Sequence, residues 1–245
     1  MAVQSLAPSS RPRVALFAHT PRTREYGRRA LRLLGCVPLV FLSIDEFLRM
    51  GASTPDLALV FLEHTDEAVD AYEVSPVKFG DGVRQAVGDD LPVLHSFAVT
   101  TGGAIPGFRM NDMVLPASQS FAQLCRTLTV FMQRHAIPST EIRLMWGGHR
   151  FCIESGNVFI GENMVQLKPE EFDLALELFF NIGTRISRAW LRTMVPAMQT
   201  LRRRPTGIAP DFAILRLRDI LNLEPIYGWE LQITPGLSCR LTKTG

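Results

Sequence analysis

Between residues 13 and 115 the sequence returns five times to a short, mainly apolar run, at 14–18, 37–42, 57–62, 92–98 and 111–115. Amphipathic stretches at 22–34, 44–50 and 82–87 separate them, and a longer one follows at 120–135. A strand buried on both faces carries apolar residues on both sides of its pleat. Apolar runs that do not alternate with polar residues therefore predict a parallel sheet covered by helices. Gly35 is placed to stop the first helix, and Ser43 with Glu46 gives a capping signal for the second. Five such strands predict a doubly wound, flavodoxin-like α/β domain over residues 13–135.

Residues 1–12 lack an apolar signal core and read as a disordered tail rich in Ser, Pro and Ala. No apolar run reaches the roughly 20 residues that span a bilayer. A cytoplasmic protein with no membrane partner is expected. The 245 residues suffice for two domains. Cys36, Cys125, Cys152 and Cys239 form no C-x-x-C pair, which signals neither zinc nor a disulfide framework, and no metal or cofactor is expected. Net charge is +2, and the small basic excess falls after residue 143.

Residues 136–143 read as a linker, and the texture then changes. Stretches 144–151, 153–159 and 163–167 look like strands, with turn signals at Gly147-Gly148, Ser155-Gly156-Asn157 and Gly161. A helix is expected over 169–181, opened by Pro169 and two glutamates, with Phe172, Leu176 and Phe179 toward a core. Ser187 caps a second helix at 188–194. A third, at 210–221, has two faces. Ala213, Ile214, Leu217, Ile220 and Leu221 fall on one side, and Phe212, Leu215, Arg216, Arg218 and Asp219 on the other. An ordinary surface helix gives this pattern, and so does a helix presented to a DNA major groove.

Residues 13–135 resemble the receiver domain of two-component response regulators, most closely in Pro-Asp-Leu-Ala-Leu-Val-Phe-Leu at 55–62. The resemblance puts the family's phosphate-accepting aspartate at Phe61. Its metal-binding acidic pair falls on Ala18 and His19, its hydroxyl residue near Phe97 with Ser96 adjacent, and its lysine on Leu115 before Pro116. Phosphoryl transfer to a carboxylate needs the nucleophile and a cation to neutralise the phosphoryl oxygens. Phe61 supplies neither, its neighbours Val60 and Leu62 are apolar, and Glu63 and Asp66 are expected beyond the strand. The resemblance thus implies a pseudo-receiver with a degenerate phosphoacceptor position, retained for homodimerisation or another input. His19, His64 and His95 are expected at one sheet edge, either as unliganded histidines or as a ligand or metal site. Arg24, Arg28 and Arg32, with Arg22 and Arg29 nearby, form either a solvated helix face or an anion-attracting one.

Residues 144–245 resemble the winged-helix DNA-binding domain of the OmpR/PhoB family. Four segments carry this: 165–174 (Val-Gln-Leu-Lys-Pro-Glu-Glu-Phe-Asp-Leu), 181–191 (Asn-Ile-Gly-Thr-Arg-Ile-Ser-Arg-Ala-Trp-Leu), 211–221 and 228–241. The resemblance implies a four-stranded antiparallel platform, three helices and a C-terminal hairpin wing, with 210–221 as the recognition helix. It places Arg216 and Arg218 at the family's arginine positions. Arg188, Trp190, the Arg202-Arg203-Arg204 run and Arg240 are the further DNA-contact candidates. Lys168 replaces the usual hydroxyl cap, Pro235 a usually polar or basic wing residue, and Ser238-Cys239 the usual Gly-Tyr. Phe212 and Leu215 suit either thymine methyls or a protein partner. The loop at 198–206 can meet RNA polymerase in the family, and its basic residues suit DNA phosphates equally.

The expectation is a non-enzymatic transcription regulator, binding double-stranded promoter half-sites as a homodimer without aspartate phosphorylation. The alternatives are a winged helix turned to a protein partner and a ligand sensor using the sheet edge.

Overall fold

The computed structural model describes residues 11–51, 57–64, 76–97, 108–115, 119–195 and 210–244. The chain divides into two compact units, Met1–Gln119 with Leu124–Glu141, and Ser120–Gln123 with Ile142–Gly245.

The first unit alternates strand and helix: β1 (Arg13–Phe17), α1 (Pro21–Leu33), β2 (Val37–Phe41), α2 (Ile44–Gly51), β3 (Leu57–His64), α3 (Pro76–Val87), β4 (Val93–Phe97), β5 (Met113–Leu115) and α4 (Phe121–Arg134). The strands form one parallel sheet in the order β2-β1-β3-β4-β5, the doubly wound, flavodoxin-like arrangement. One core cluster contains Ala15, Phe17, Phe41, Phe47, Val60, Leu62, Val83 and Val93. Phe47 meets Phe17 and Phe41 edge-on, at ring separations of 4.7 and 5.2 Å. β3 alternates between sides, so Leu59, Phe61 and Glu63 point away from this cluster. Helix α3 begins at Pro76, six residues before the expected start, with proline in its first turn. In the linker, Thr140 is bound back to α1: its N–H donates to the Leu34 carbonyl at 3.0 Å and its hydroxyl to that of Leu33 at 2.9 Å.

The second unit opens with four strands, β6 (Leu144–Trp146), β7 (His149–Cys152), β8 (Asn157–Ile160) and β9 (Asn163–Gln166), in an antiparallel meander. The first expected stretch is thus two strands, because Gly147, at φ +56°, turns the chain and pairs Leu144 with Phe151. The second begins only at Asn157, after a turn with Gly156 at φ +71°. Then follow α5 (Pro169–Phe180), β10 (Arg185–Ser187), α6 (Arg188–Met194), α7 (Pro210–Ile220), β11 (Trp229–Thr234) and β12 (Ser238–Lys243), with β10, β12 and β11 forming a second sheet.

Every residue of α5 from Phe172 to Phe179 is buried, as befits a central helix. Phe179 packs on Phe151 and Trp229, with ring separations of 5.0 and 5.2 Å. At the start of α5 the Lys168 ammonium has no acceptor capacity to offer the helix. Glu171 closes the turn from the other side, accepting the Lys168 N–H at 3.1 Å. Among the described residues no helix is long and apolar enough to cross a membrane.

Candidate nucleic-acid interface

Helix α7 divides as its spacing predicts. Ile214 and Leu217 are fully buried, as is Leu221 just beyond the helix. The C-terminus is closed by two devices. Asn222 takes the left-handed conformation at φ +53°, and the Leu223 N–H reaches back to the Arg218 carbonyl at 2.8 Å, a Schellman arrangement. His149 Nε2 lies 2.7 Å from the Leu221 carbonyl and donates to it. Burial pushes the His149 imidazole down, toward its neutral form. The helix is thereby fixed from within, and its opposite side is left to solvent.

That opposite side carries Phe212, 56% exposed, and Leu215, 36% exposed. Arg216 is exposed, with Nη1 3.3 Å from Glu171 Oε1 at the start of α5. Arg218 directs Nε and Nη2 to Asp219 Oδ1 at 3.0 and 2.9 Å. Glu171 and Asp219 were not expected as arginine partners. Glu171 is legible in the sequence only as a first-turn acid, and its reach to Arg216 depends on tertiary packing.

The other expected contacts separate. Arg188 is only 4% exposed, so a phosphate-contact role is corrected: its side chain is turned into the unit at the first position of α6. Trp190 is half-buried and donates its indole N–H to the buried Glu177 carboxylate at 3.2 Å. Arg240 is exposed on β12, opposite Arg185, with Nε donating to the Gly183 carbonyl at 2.9 Å. Arg202, Arg203 and Arg204 lie outside the described residues. The β11–β12 hairpin turns at Gly236, φ +70°, and exposes Leu237 at its tip. Ser238 and Cys239 are buried.

In the first unit Phe61 is 1% exposed. Its ring, with Leu16, lies so close to Gly27 of α1 that an added Cβ there would stand 3.0 Å from Leu16 Cδ1 and 3.1 Å from Phe61 Cε1. Ala18 and Leu115 are buried, His19 and Ser96 are half-buried, and the Phe97 side chain and Asp66 are outside the description. Glu63 corrects the expectation: it lies within β3, 3% exposed. Its carboxylate accepts the Thr20 N–H at 2.8 Å, the Thr20 hydroxyl at 2.6 Å and the Thr23 hydroxyl. It therefore braces the N-cap of α1, Thr20, whose hydroxyl accepts the Thr23 N–H at 3.2 Å, and places a negative charge where the helix favours one.

A polar chain crosses β3 and β4. His64 Nε2 stands 2.9 Å from His95 Nδ1, and His95 Nε2 lies 3.4 Å from Asp112 Oδ2. Asp112 also pairs with the buried Arg84 guanidinium and accepts the Val93 and Arg109 N–H groups at 3.0 and 2.8 Å. With Asp112 as acceptor, the bonding assigns the His95 proton to Nε2, so His64 Nε2–H donates to His95 Nδ1. Burial lowers the His64 imidazole to about 4, assisted by repulsion from His95 and His19. Burial alone would raise Asp112, but the His95 and Arg84 bonds outweigh it and hold the carboxyl at about 2. No three His, Cys, Asp or Glu side chains are grouped to hold a metal among the described residues. The arginines of α1 are mostly engaged. Arg28 and Arg29 pair with Glu25 at 2.6 and 3.8 Å, and Arg24 donates to the Ala18 and His19 carbonyls.

A parallel sheet in 2-1-3-4-5 order, followed by an antiparallel platform, three helices and a terminal hairpin, defines the class: a receiver-like α/β unit and a winged-helix unit. One similar structure is DrrB, a Thermotoga maritima OmpR/PhoB homolog, 16% identical, TM-score 0.37, covering 96% of this chain and 100% of that one. Another is described as belonging to a family of redox sensors in the streptococci evolved from two-component response regulators, 16% identical, TM-score 0.34, with the same coverage. A third is the N-terminal domain of a response regulator/sensory box/GGDEF protein from Carboxydothermus hydrogenoformans, 12% identical, TM-score 0.39, covering 51% of this chain and 96% of that one. No family model and no curated protein matches the chain.

Proposed function

We propose that the chain is a sequence-specific DNA-binding transcription regulator whose receiver-like unit works without aspartate phosphorylation. The observation that carries this is α7, anchored by Ile214, Leu217 and Leu221, with Phe212, Leu215, Arg216 and Arg218 facing outward. Phosphate contacts fix register and base-edge contacts specify sequence. A helix with both guanidinium and apolar groups on its free side suits both tasks. In this reading the chain binds half-sites about one helical turn apart as a homodimer joined through the receiver-like unit, with RNA polymerase as a further partner.

The full chain is expected to retain a defined set of duplexes from a genomic fragment pool, with affinity falling steeply as salt rises. Binding that shows neither sequence preference nor salt dependence overturns the proposal. The exposure of Phe212 and Leu215 supports a second reading, in which this face meets a protein. Changing Arg216 and Arg218 to Ala separates the two: lost duplex binding supports the first, and unchanged duplex binding the second.

A further inference from the structure

We infer that α7 recognises thymine-rich half-sites, with Phe212 and Leu215 seated on thymine C5-methyl groups, in place of guanine reading by its arginines. The inference rests on the DNA-binding proposal above and adds the class of sequence read. Three observations lead to it.

The first is spacing. Phe212, Leu215, Arg216 and Asp219 stand at i, i+3, i+4 and i+7 and so share one stripe of the helix. The apolar pair therefore lies along the line that would face a groove floor. The second is the state of the guanidinium groups. Guanine is read through O6 and N7 by a guanidinium that presents two donors side by side. Arg218 already directs Nε and Nη2, two such donors, to Asp219 Oδ1. Arg216 leans toward Glu171 through Nη1. Guanine reading by Arg218 would first have to break its bonds to Asp219, and the charge of Arg216 is drawn toward Glu171. A phosphate does not demand a bidentate fit, and Arg218 Nη1 stays outside the pairing with Asp219. The third is the apolar pair itself. Phe212 and Leu215 are 56% and 36% exposed on a helix whose other side is anchored by the buried Ile214 and Leu217. Among major-groove base edges, the thymine methyl is the apolar group, and Ala, Thr and Phe side chains are its usual contacts. A strip of thymine methyl groups matches the apolar pair in polarity.

The experiment uses the full chain. Its preferred duplex is selected from a random pool, then resynthesised with deoxyuridine for each thymine of the half-site, which removes only the methyl groups. Affinity is expected to drop about fourfold for each contacted methyl, the value of one buried methylene. Phe212→Ala and Leu215→Ala should weaken binding to the thymine duplex and shrink or abolish its advantage over the uracil duplex. Equal binding of both duplexes by the unmodified chain, with a sequence preference retained, overturns the inference and leaves the DNA-binding proposal standing. Selection of guanine-anchored sites lost in Arg218→Ala also overturns it. Failure to select any duplex overturns both.

Discussion

Acid should loosen the first unit through His64, and the size of the effect follows from the polar chain across β3 and β4. The folded imidazole titrates near 4, against about 6.5 in an unfolded chain. Below pH 6.5 the unfolded state binds the extra proton and the folded state does not. The stabilisation is therefore complete above about pH 6.5 and is lost progressively as pH falls toward 4. Between pH 7 and pH 5 this difference amounts to about 2 kcal/mol. The perturbation that isolates it is His64→Gln, which keeps a side-chain N–H for His95 Nδ1 and removes the titration. Urea unfolding at pH 7 and pH 5 should be followed by hydrogen exchange in peptides covering 57–64 and 93–97. Trp146, Trp190 and Trp229 all lie in the second unit, so their fluorescence follows that unit separately. It has its own acid-sensitive group in the buried His149, so its transition should shift in both proteins alike. The unmodified chain should lose about 2 kcal/mol more than His64→Gln in the β3 and β4 peptides. Equal pH slopes there would refute the reasoning.

Two further outcomes test the remodelled sheet edge. Gly27→Ala should destabilise the first unit by about 1–3 kcal/mol, because its methyl meets Leu16 and Phe61 at overpacked distances. Thermal melts should show recovery when Phe61→Leu is added, and a neutral Gly27→Ala would contradict the packing described. Incubation with acetyl phosphate and Mg²⁺ should leave the intact mass and DNA affinity unchanged. A phosphoryl adduct within residues 13–135 would refute phosphorylation independence.

The sheet was legible because each strand is apolar on both sides. Runs such as Leu59-Val60-Phe61-Leu62 leave few alternatives to a covered parallel strand. The faces of α7 were legible for a similar reason, since Ile214, Leu217 and Leu221 recur at the helical period. Side-chain pairing across sequence distance was not. Glu63 is ambiguous by pattern, as one acid after an apolar run, and only the approach of Thr20 and Thr23 draws it inside. Arg188 sits at a helix start, where an arginine is easily read as exposed, yet packing of α6 turns it inward. Asp112 and Arg84 are 28 residues apart. Their ion pair depends on the C-terminal part of α3 meeting the residue just before β5, which no local spacing encodes.

The bracing of the α1 cap by Glu63 carries a consequence for what this sheet edge can hold. An aspartate introduced at position 61 would enter a wall formed by Leu16 and the face of Gly27. The nearest carboxylate on the same strand already holds three donors from Thr20 and Thr23. Freeing it for a metal would strip its three bonds from the first turn of α1. Building phosphoryl chemistry here therefore calls for several coordinated replacements, each costly alone. The polar groups at this edge are committed to holding α1 and are not open to a ligand without cost to the fold.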